Sequence, residues 1–380
     1  MSVFQSEAER LEQFPVAAHR IFLGHAAVTA LPACAARAMA EHAWSECRHP
    51  EDFGETLRVI ARTREVCAAA IHVKPSEVAL LGPTALGLSL FANGIAWKEG
   101  DELICHADDY PTNVYPWTNL ERQGVRPVLL RPAIPGRITP EDILAALTSR
   151  TRMVALATCH FLSGWRIDIP AIAEALRPRG VLFALDAIQT IGAFPTDASC
   201  TDFLSADAHK WMLGPMAIGI VAVAERNFEV CRPTLLGAWN VRSPEFIPQP
   251  EIEFEETARR YEPGVLNISG IHGMRASLEM LASVPDVSSR ILAVRDELED
   301  LLRAQGFVFL SPDRSEPLRS GILTARHPDR DPRKLFATLE ANHITASLRA
   351  SRDGQHWLRF SPHFYNTSTE IQKVAAVLDR

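Results

Sequence analysis

Between residues 33 and 225, short apolar runs alternate with segments whose apolar residues recur every three or four positions. ACAARAMAEHAW (33–44) and TLRVIARTREVCAAAI (56–71) have that helical spacing, which sets one face against a core. EVALL (77–81) follows, then the helix-spaced TALGLSLFANGIAW (84–97), then DELICH (101–106). A further cycle supplies RPVLL (126–130), TPEDILAALTS (139–149) and RMVALAT (152–158). Thr139 is the expected N-cap of the middle segment, because its hydroxyl can accept from a free amide of the first turn. IDIPAIAEALRP (167–178), GVLFALD (180–186), TDFLSAD (201–207) and AIGIVAVA (217–224) complete the series. Strands that alternate with helices predict a mainly parallel sheet covered by helices on both faces. Function in such a sheet gathers in the loops at the carboxyl ends of its strands.

A Pro-rich polar stretch, RSPEFIPQPEIEFEE (242–256), interrupts this rhythm. Beyond it lie helix-spaced segments at 265–284 and 287–306, the apolar run GILTARH (321–327), a helix at 331–343, and the runs ITASLRA (344–350) and HWLRFSP (356–362). A chain of 380 residues exceeds what one hydrophobic core usually serves. The expected division is an N-terminal segment at 1–14, a large α/β domain at 15–255 and a smaller α/β domain at 256–380.

Composition narrows the class. The chain is 47% hydrophobic and 22% charged, as soluble globular proteins are. A net charge of -7 argues against a general nucleic-acid surface, which needs a basic face. No apolar run reaches transmembrane length, and the first residues, MSVFQSEAERLEQF, lack the basic and apolar regions of a signal peptide. Seven scattered cysteines without CxxC spacing read as reduced thiols in a cytoplasmic protein, with no disulfide framework and no metal site.

Only five of the 39 basic residues are lysine, yet Lys210 sits in the apolar stretch SADAHKWMLGP (205–215). A lysine there must snorkel, pair or lose its proton, and one of depressed pKa can condense with an aldehyde. Alone it reads equally as a solvated loop lysine. Asp186 ends the apolar run LFALD, with Gln189 one helical turn beyond; by itself this carboxylate reads as an N-cap. Gly82 and Thr84 follow EVALL and open a helix whose free amides can hold a phosphate. Anchor, acid and phosphate cradle thus occur in one chain.

These pieces resemble the class V members of the fold-type-I pyridoxal phosphate (PLP) enzymes, the group of cysteine desulfurases, kynureninases and isopenicillin N epimerase-like proteins. The matching segments run in family order over nearly the whole chain: IFLGHAAVTALP, GPTALGL, HADDYPTNVYPW, SGWRIDI, LDAIQTIGA, AHKWMLGP, RRYEPGVLN and LRFSPHFYNT. The resemblance implies that Lys210 carries PLP as an internal aldimine and acts as the catalytic base. It implies that Asp186 pairs with the pyridine nitrogen and Gln189 with the ring hydroxyl. Thr84, the Ala85 amide and His209 would meet the phosphate, and Tyr110 would lie over the ring. Arg359 would grip the α-carboxylate of a small amino-acid substrate. His160 stands where a second acid/base group could act, and His25 where relatives line the substrate pocket; each reads equally as a histidine held by hydrogen bonds. Relatives are dimers with sites at the subunit interface, so a homodimer is expected, and Trp239 and Asn240 either reach the partner's pocket or pack in a buried turn.

The chain also departs from the family pattern. Asp207 replaces a serine that donates to the phosphate, Val265 replaces a threonine that reaches the partner's phosphate, and Ala217 takes the place of a turn glycine. No cysteine follows Cys231, so the persulfide thiol of the desulfurases is missing from LRASRDGQHW (348–357). Chemistry that needs only lysine and cofactor remains. Aminotransfer ranks first, carbon–sulfur β-lyase chemistry next, and epimerisation third, since it needs a second base such as His160. A PLP-binding scaffold without catalysis is the reading of another class. A dinucleotide-dependent oxidoreductase lacks its GxGxxG.

Overall fold

A computed structural model describes residues 3–379. The first two residues of the expected N-terminal segment, and the last of the expected C-terminal domain, lie outside the described residues. β1 (Ile21–Phe22) leads in from the N-terminal segment, and the large sheet then forms from seven strands. They are β2 (Val78–Leu80), β3 (Glu102–His106), β4 (Arg126–Leu130), β5 (Thr151–Ala157), β6 (Leu182–Asp186), β7 (Phe203–Asp207) and β8 (Gly219–Val223). Their spatial order is β2-β8-β7-β6-β5-β3-β4.

Four neighbouring pairs are parallel, but β8 runs antiparallel to both β7 and β2. The alternating pattern did not reveal this reversal. A parallel return needs a crossover of a dozen or more residues, usually a helix. Residues 208–218 hold no helix, so β8 folds straight back.

Alternation along each strand builds a core on either side. Ile104, Val154, Leu156, Phe183, Leu185 and Leu204 face one core with the helices Phe53–Ile71 and Ile169–Leu176. Leu103, Cys105, Met153, Ala155, Ala184 and Phe203 face the other, under the helix Thr84–Gly94. The helix Ile268–Ser283, expected with the small domain, instead lends Ile271, Met274 and Leu278 to the first of these cores.

The smaller body is an antiparallel sheet in the order β12 (Ser347–Ala350), β13 (His356–Phe360), β10 (Leu323–Arg326), β9 (Val308–Phe309). Helices Val287–Ala304, Pro332–Ala341 and Ser368–Leu378 cover it. β1 pairs in parallel with β11 (Ile344–Thr345), and Ile21 and Leu23 join the small core, so this early segment belongs physically with the C-terminal body. No helix among the described residues is long and apolar enough to cross a membrane.

Candidate active site

The carboxyl ends of β2, β3, β5, β6 and β7 open onto one cavity of about 290 Å³, closed on its far side by β12 and β13. Thr84, Ala85, Tyr110, Asp186, Gln189, His209, Lys210 and Arg359 all line it. Residues drawn from five separate stretches of the sequence thus meet in one place.

Lys210 lies on the turn between β7 and β8, which closes on itself through Ala208: the Gly214 amide donates to its carbonyl, and its own amide donates to Ile218. The lysine is 8% exposed, and among the described residues no hydrogen bond or ion pair holds its Nζ. Burial pushes its ammonium down to about 8, while Asp186 pulls it up and Arg359 and Arg349 push it further down. An amine in that range can shed its proton near neutrality. Nζ lies 5.5 Å from the centre of the Tyr110 ring, which is 5.6 Å from that of Phe161.

Asp186 ends β6 and is buried. Its Oδ2 accepts from Asn113 Nδ2 at 2.8 Å, and its Oδ1 from the Ile188 amide at 2.9 Å. Burial raises its pKa, opposed by these bonds and by the Lys210 charge. A carboxylate offers about four lone-pair sites, so it can still receive a proton donor from the cavity. Gln189 accepts from Trp211 Nε1 at 2.8 Å and donates to the Ala26 carbonyl at 3.2 Å. Among the described residues, one N–H of its amide has no acceptor.

At the opposite end, Pro83 leads into the helix Thr84–Gly94. The amides of its first turn have no acceptor within the helix. Thr84 Oγ1 accepts from the Asp207 amide at 2.8 Å, and its carbonyl accepts from Ser205 Oγ at 3.1 Å, so helix start and β7 are stitched together. A side chain at Gly82 would meet the Ile218 amide nitrogen at 2.7 Å, and only glycine allows this approach. Asp207 does not line the cavity, and His209 Nδ1 donates to its Oδ1 at 2.7 Å. The carboxylate therefore fixes the ring and leaves Nε2 for another partner.

Arg359 is 1% exposed on β13. Its Nη1 donates to the Phe161 carbonyl at 2.6 Å, whereas Nε and Nη2 are buried without a partner among the described residues. Those two atoms form one edge of the guanidinium, the fork that a carboxylate fills with two parallel bonds.

Two expected residues stay outside the cavity lining. Both rings are buried and fully engaged, so neither has a nitrogen to offer. His25 donates from Nδ1 to the Ser361 carbonyl at 2.8 Å, and its Nε2 accepts from Tyr365 OH at 3.0 Å. His160 donates from Nε2 to the Asp108 carbonyl at 3.0 Å, and its Nδ1 accepts from the Ser163 amide at 3.1 Å. Burial pushes both down to about 4, so both are neutral at pH 7. Asn240 is also spent internally, bonding the Gly237 amide and the Leu235 and Arg260 carbonyls, while Trp239 is half-buried and Val265 exposed.

Sequence reasoning missed Asn113, Asp109 and Arg349. Asn113 and Asp109 stood inside the quoted run HADDYPTN, but nothing marked which polar residue would turn inward. Burial, with the charge of Asp186, pushes the Asp109 carboxyl up to about 7. Arg349 lines the cavity from β12, and its buried Nε has no partner among the described residues. Away from this site, donor atoms of His42, Glu46 and Glu51 come within 4.8 Å of one another, a grouping the cysteine-based reading of metal sites did not foresee.

Comparison with known proteins agrees with this architecture. A probable cysteine desulfurase of Methanothermobacter thermautotrophicus is 23% identical over 99% of this chain and 98% of its own length. The isopenicillin N epimerase of Streptomyces clavuligerus is 28% identical over 87% of each chain. Among solved structures, the apo cysteine desulfurase of Thermococcus onnurineus NA1 superposes with a TM-score of 0.90 at 19% identity, covering 100% of this chain and 98% of that one. A variant of C-DES with glycine covalently linked to its PLP cofactor gives 0.87 at 19% identity, over 97% and 98%. The fold is that of the fold-type-I PLP enzymes. The family model described as "Aminotransferase class-V" matches residues 21–374, and the chain belongs to that family.

Proposed function

We propose that this chain is a PLP-dependent enzyme of amino-acid metabolism, with aminotransfer as its reaction. The observation that carries the reading is the convergence of a buried, unpaired Lys210, a buried Asp186 and the open fork of Arg359 on one cavity. PLP is the cofactor of a structural neighbour, and the residues here fit it. When bound, it supplies an aldehyde and an electron-withdrawing ring that stabilises charge developing on a substrate carbon.

The chain's own residues would do the rest. The Thr84 hydroxyl, the Ala85 amide and His209 Nε2 would hold the phosphate. Asp186 would hold a proton on the ring nitrogen, and the free N–H of Gln189 would meet the ring hydroxyl. The Tyr110 side chain would cover the ring and exclude water. Arg359 would bind the α-carboxylate through Nε and Nη2. Lys210 Nζ, poised near pH 8, would take the α-proton and return it to another carbon.

Carbon–sulfur β-lyase chemistry is the second reading, supported by the similarity to named desulfurases. Without a cysteine in the loop between β12 and β13, it would not run through a persulfide on that loop. Cys159 is no substitute, since burial pushes its thiol up to about 12. Epimerisation has less support, because His160 is spent on Ser163 and Asp108. The reading includes a homodimer and a cytoplasmic location, supported by exposed apolar residues at 235–252 and by seven free cysteines.

The experiment is direct. Protein purified with PLP should show a visible absorbance band that borohydride abolishes, with the cofactor then fixed to Lys210 by mass. Lys210→Ala should lose that covalent attachment and all turnover. A panel of amino acids is then scored for keto acid, for pyruvate with sulfide, and for α-deuterium exchange. Keto acid is the expected product; pyruvate with sulfide, or exchange alone, would replace aminotransfer by lyase or epimerase. A Lys210→Ala variant as active as its parent would end the proposal.

A further inference from the structure

The Proposed function uses one arginine, yet the cavity contains two. Ser347 pairs with Arg359 and Arg349 with Trp357 across the antiparallel β12–β13 ladder, so Arg349 and Arg359 share one face as diagonal neighbours. Such neighbours sit roughly 7–8 Å apart, within reach of long side chains. Arg359 already has a fork suited to one carboxylate. Arg349 adds a buried Nε with no acceptor, and among the described residues it has no ion pair. Among the lining residues only Asp186 is acidic, and its oxygens are held by Asn113 and Ile188. Two like charges side by side in a part-buried site are unfavourable unless anions face both of them.

Resting on the amino-acid site proposed above, we infer that Arg349 reads a second acidic group, so that the preferred substrate is an amino acid whose side chain carries a carboxylate or sulfinate. The α-carboxylate fills the Arg359 fork and the side-chain anion meets Arg349. Phe161 and Tyr110 line the same cavity with their aromatic rings, alongside Thr112.

Isothermal titration of the PLP-loaded protein tests this without relying on turnover. Aspartate, glutamate and cysteine sulfinate are titrated against alanine and glutamine. At least one acidic ligand should bind roughly tenfold or more tightly than alanine, as a charged hydrogen bond implies; which one distinguishes carboxylate from sulfinate. Arg349→Gln should bring that ligand down to the level of alanine, and Arg349→Lys, which keeps the charge, should retain part of the preference. Alanine binding as tightly as every acidic ligand would overturn the inference. So would an equal loss for alanine and aspartate in Arg349→Gln, which would put both arginines on the α-carboxylate. Those results leave the Proposed function standing, whereas binding of no amino acid at all by loaded wild-type protein would remove both.

Discussion

At the scale of single residues, what could be read in advance depended on whether local chemistry or register placed the side chain. Asp186 ends a strand and Lys210 and Thr84 come shortly after one, so the apolar runs marked their places, while their expected roles came only from the family resemblance. Arg349 was invisible because its direction depends on the β12–β13 register, which nothing in LRASRDGQHW declares. His25 and His160 carried the right chemistry beside the right loops, but each turned inward to satisfy buried partners. Ala217 was legible as a departure and now has a physical meaning. Its φ of 61° lies in the left-handed region, where a β-carbon is unfavourable. The residue is exposed, so nothing is lost by removing its methyl. Ala217→Gly is therefore expected to stabilise the protein by up to about 1 kcal/mol, after the added freedom of glycine in the unfolded chain is deducted. Urea denaturation would register it as a raised midpoint at constant slope.

Whole elements were the easiest features to read. The helix Thr84–Gly94 and the strand β4 begin where the pattern placed them, and Thr139 caps its helix through a reciprocal bond with Asp142. The C-terminal helix Ser368–Leu378 escaped, although Thr367 and Glu370 form a capping box that announces it. The Pro-rich excursion after β8 was read only as an interruption. That stretch presents Phe246, Ile247 and Ile252 to solvent, and Leu235 and Leu236 just before it are exposed too, more apolar surface than a short polar loop needs. If this element covers a second copy of the chain, the double change Phe246→Glu with Ile247→Glu should halve the mass seen by light scattering while leaving the circular dichroism intact. An unchanged mass would place the interface elsewhere.

On the scale of the molecule, the fold class and its two bodies were legible, but the way the chain distributes itself between them was not. Neither β1 nor the helix Ile268–Ser283 follows sequence order, since each is placed by long-range packing. The same packing governs how the protein responds to acid. His25 and His160 are pushed down to about 4, and His106 to about 3, chiefly by burial. An unfolded chain protonates these rings near pH 6.5, so between that pH and about 4 it binds more protons than the folded one and stability falls as pH falls. Each ring accounts for about 3 kcal/mol or more over that window. Asp109, Asp186 and Glu262 have raised values and oppose the trend. A net loss of order 5 kcal/mol, comparable with the whole stability of many proteins, is expected from urea titrations at pH 6.5 and 4. Equal midpoints at the two pH values would contradict it.

The reversal of β8 has one more consequence. Because that strand returns along its neighbour, the turn bearing Lys210 is tethered to the sheet at both of its ends, like a bridge resting on two abutments. The guanidinium pair hangs from the other body. Any rocking of one body against the other would thus carry Arg349 and Arg359 toward or away from a stationary Lys210, changing the span of the cavity without moving that turn.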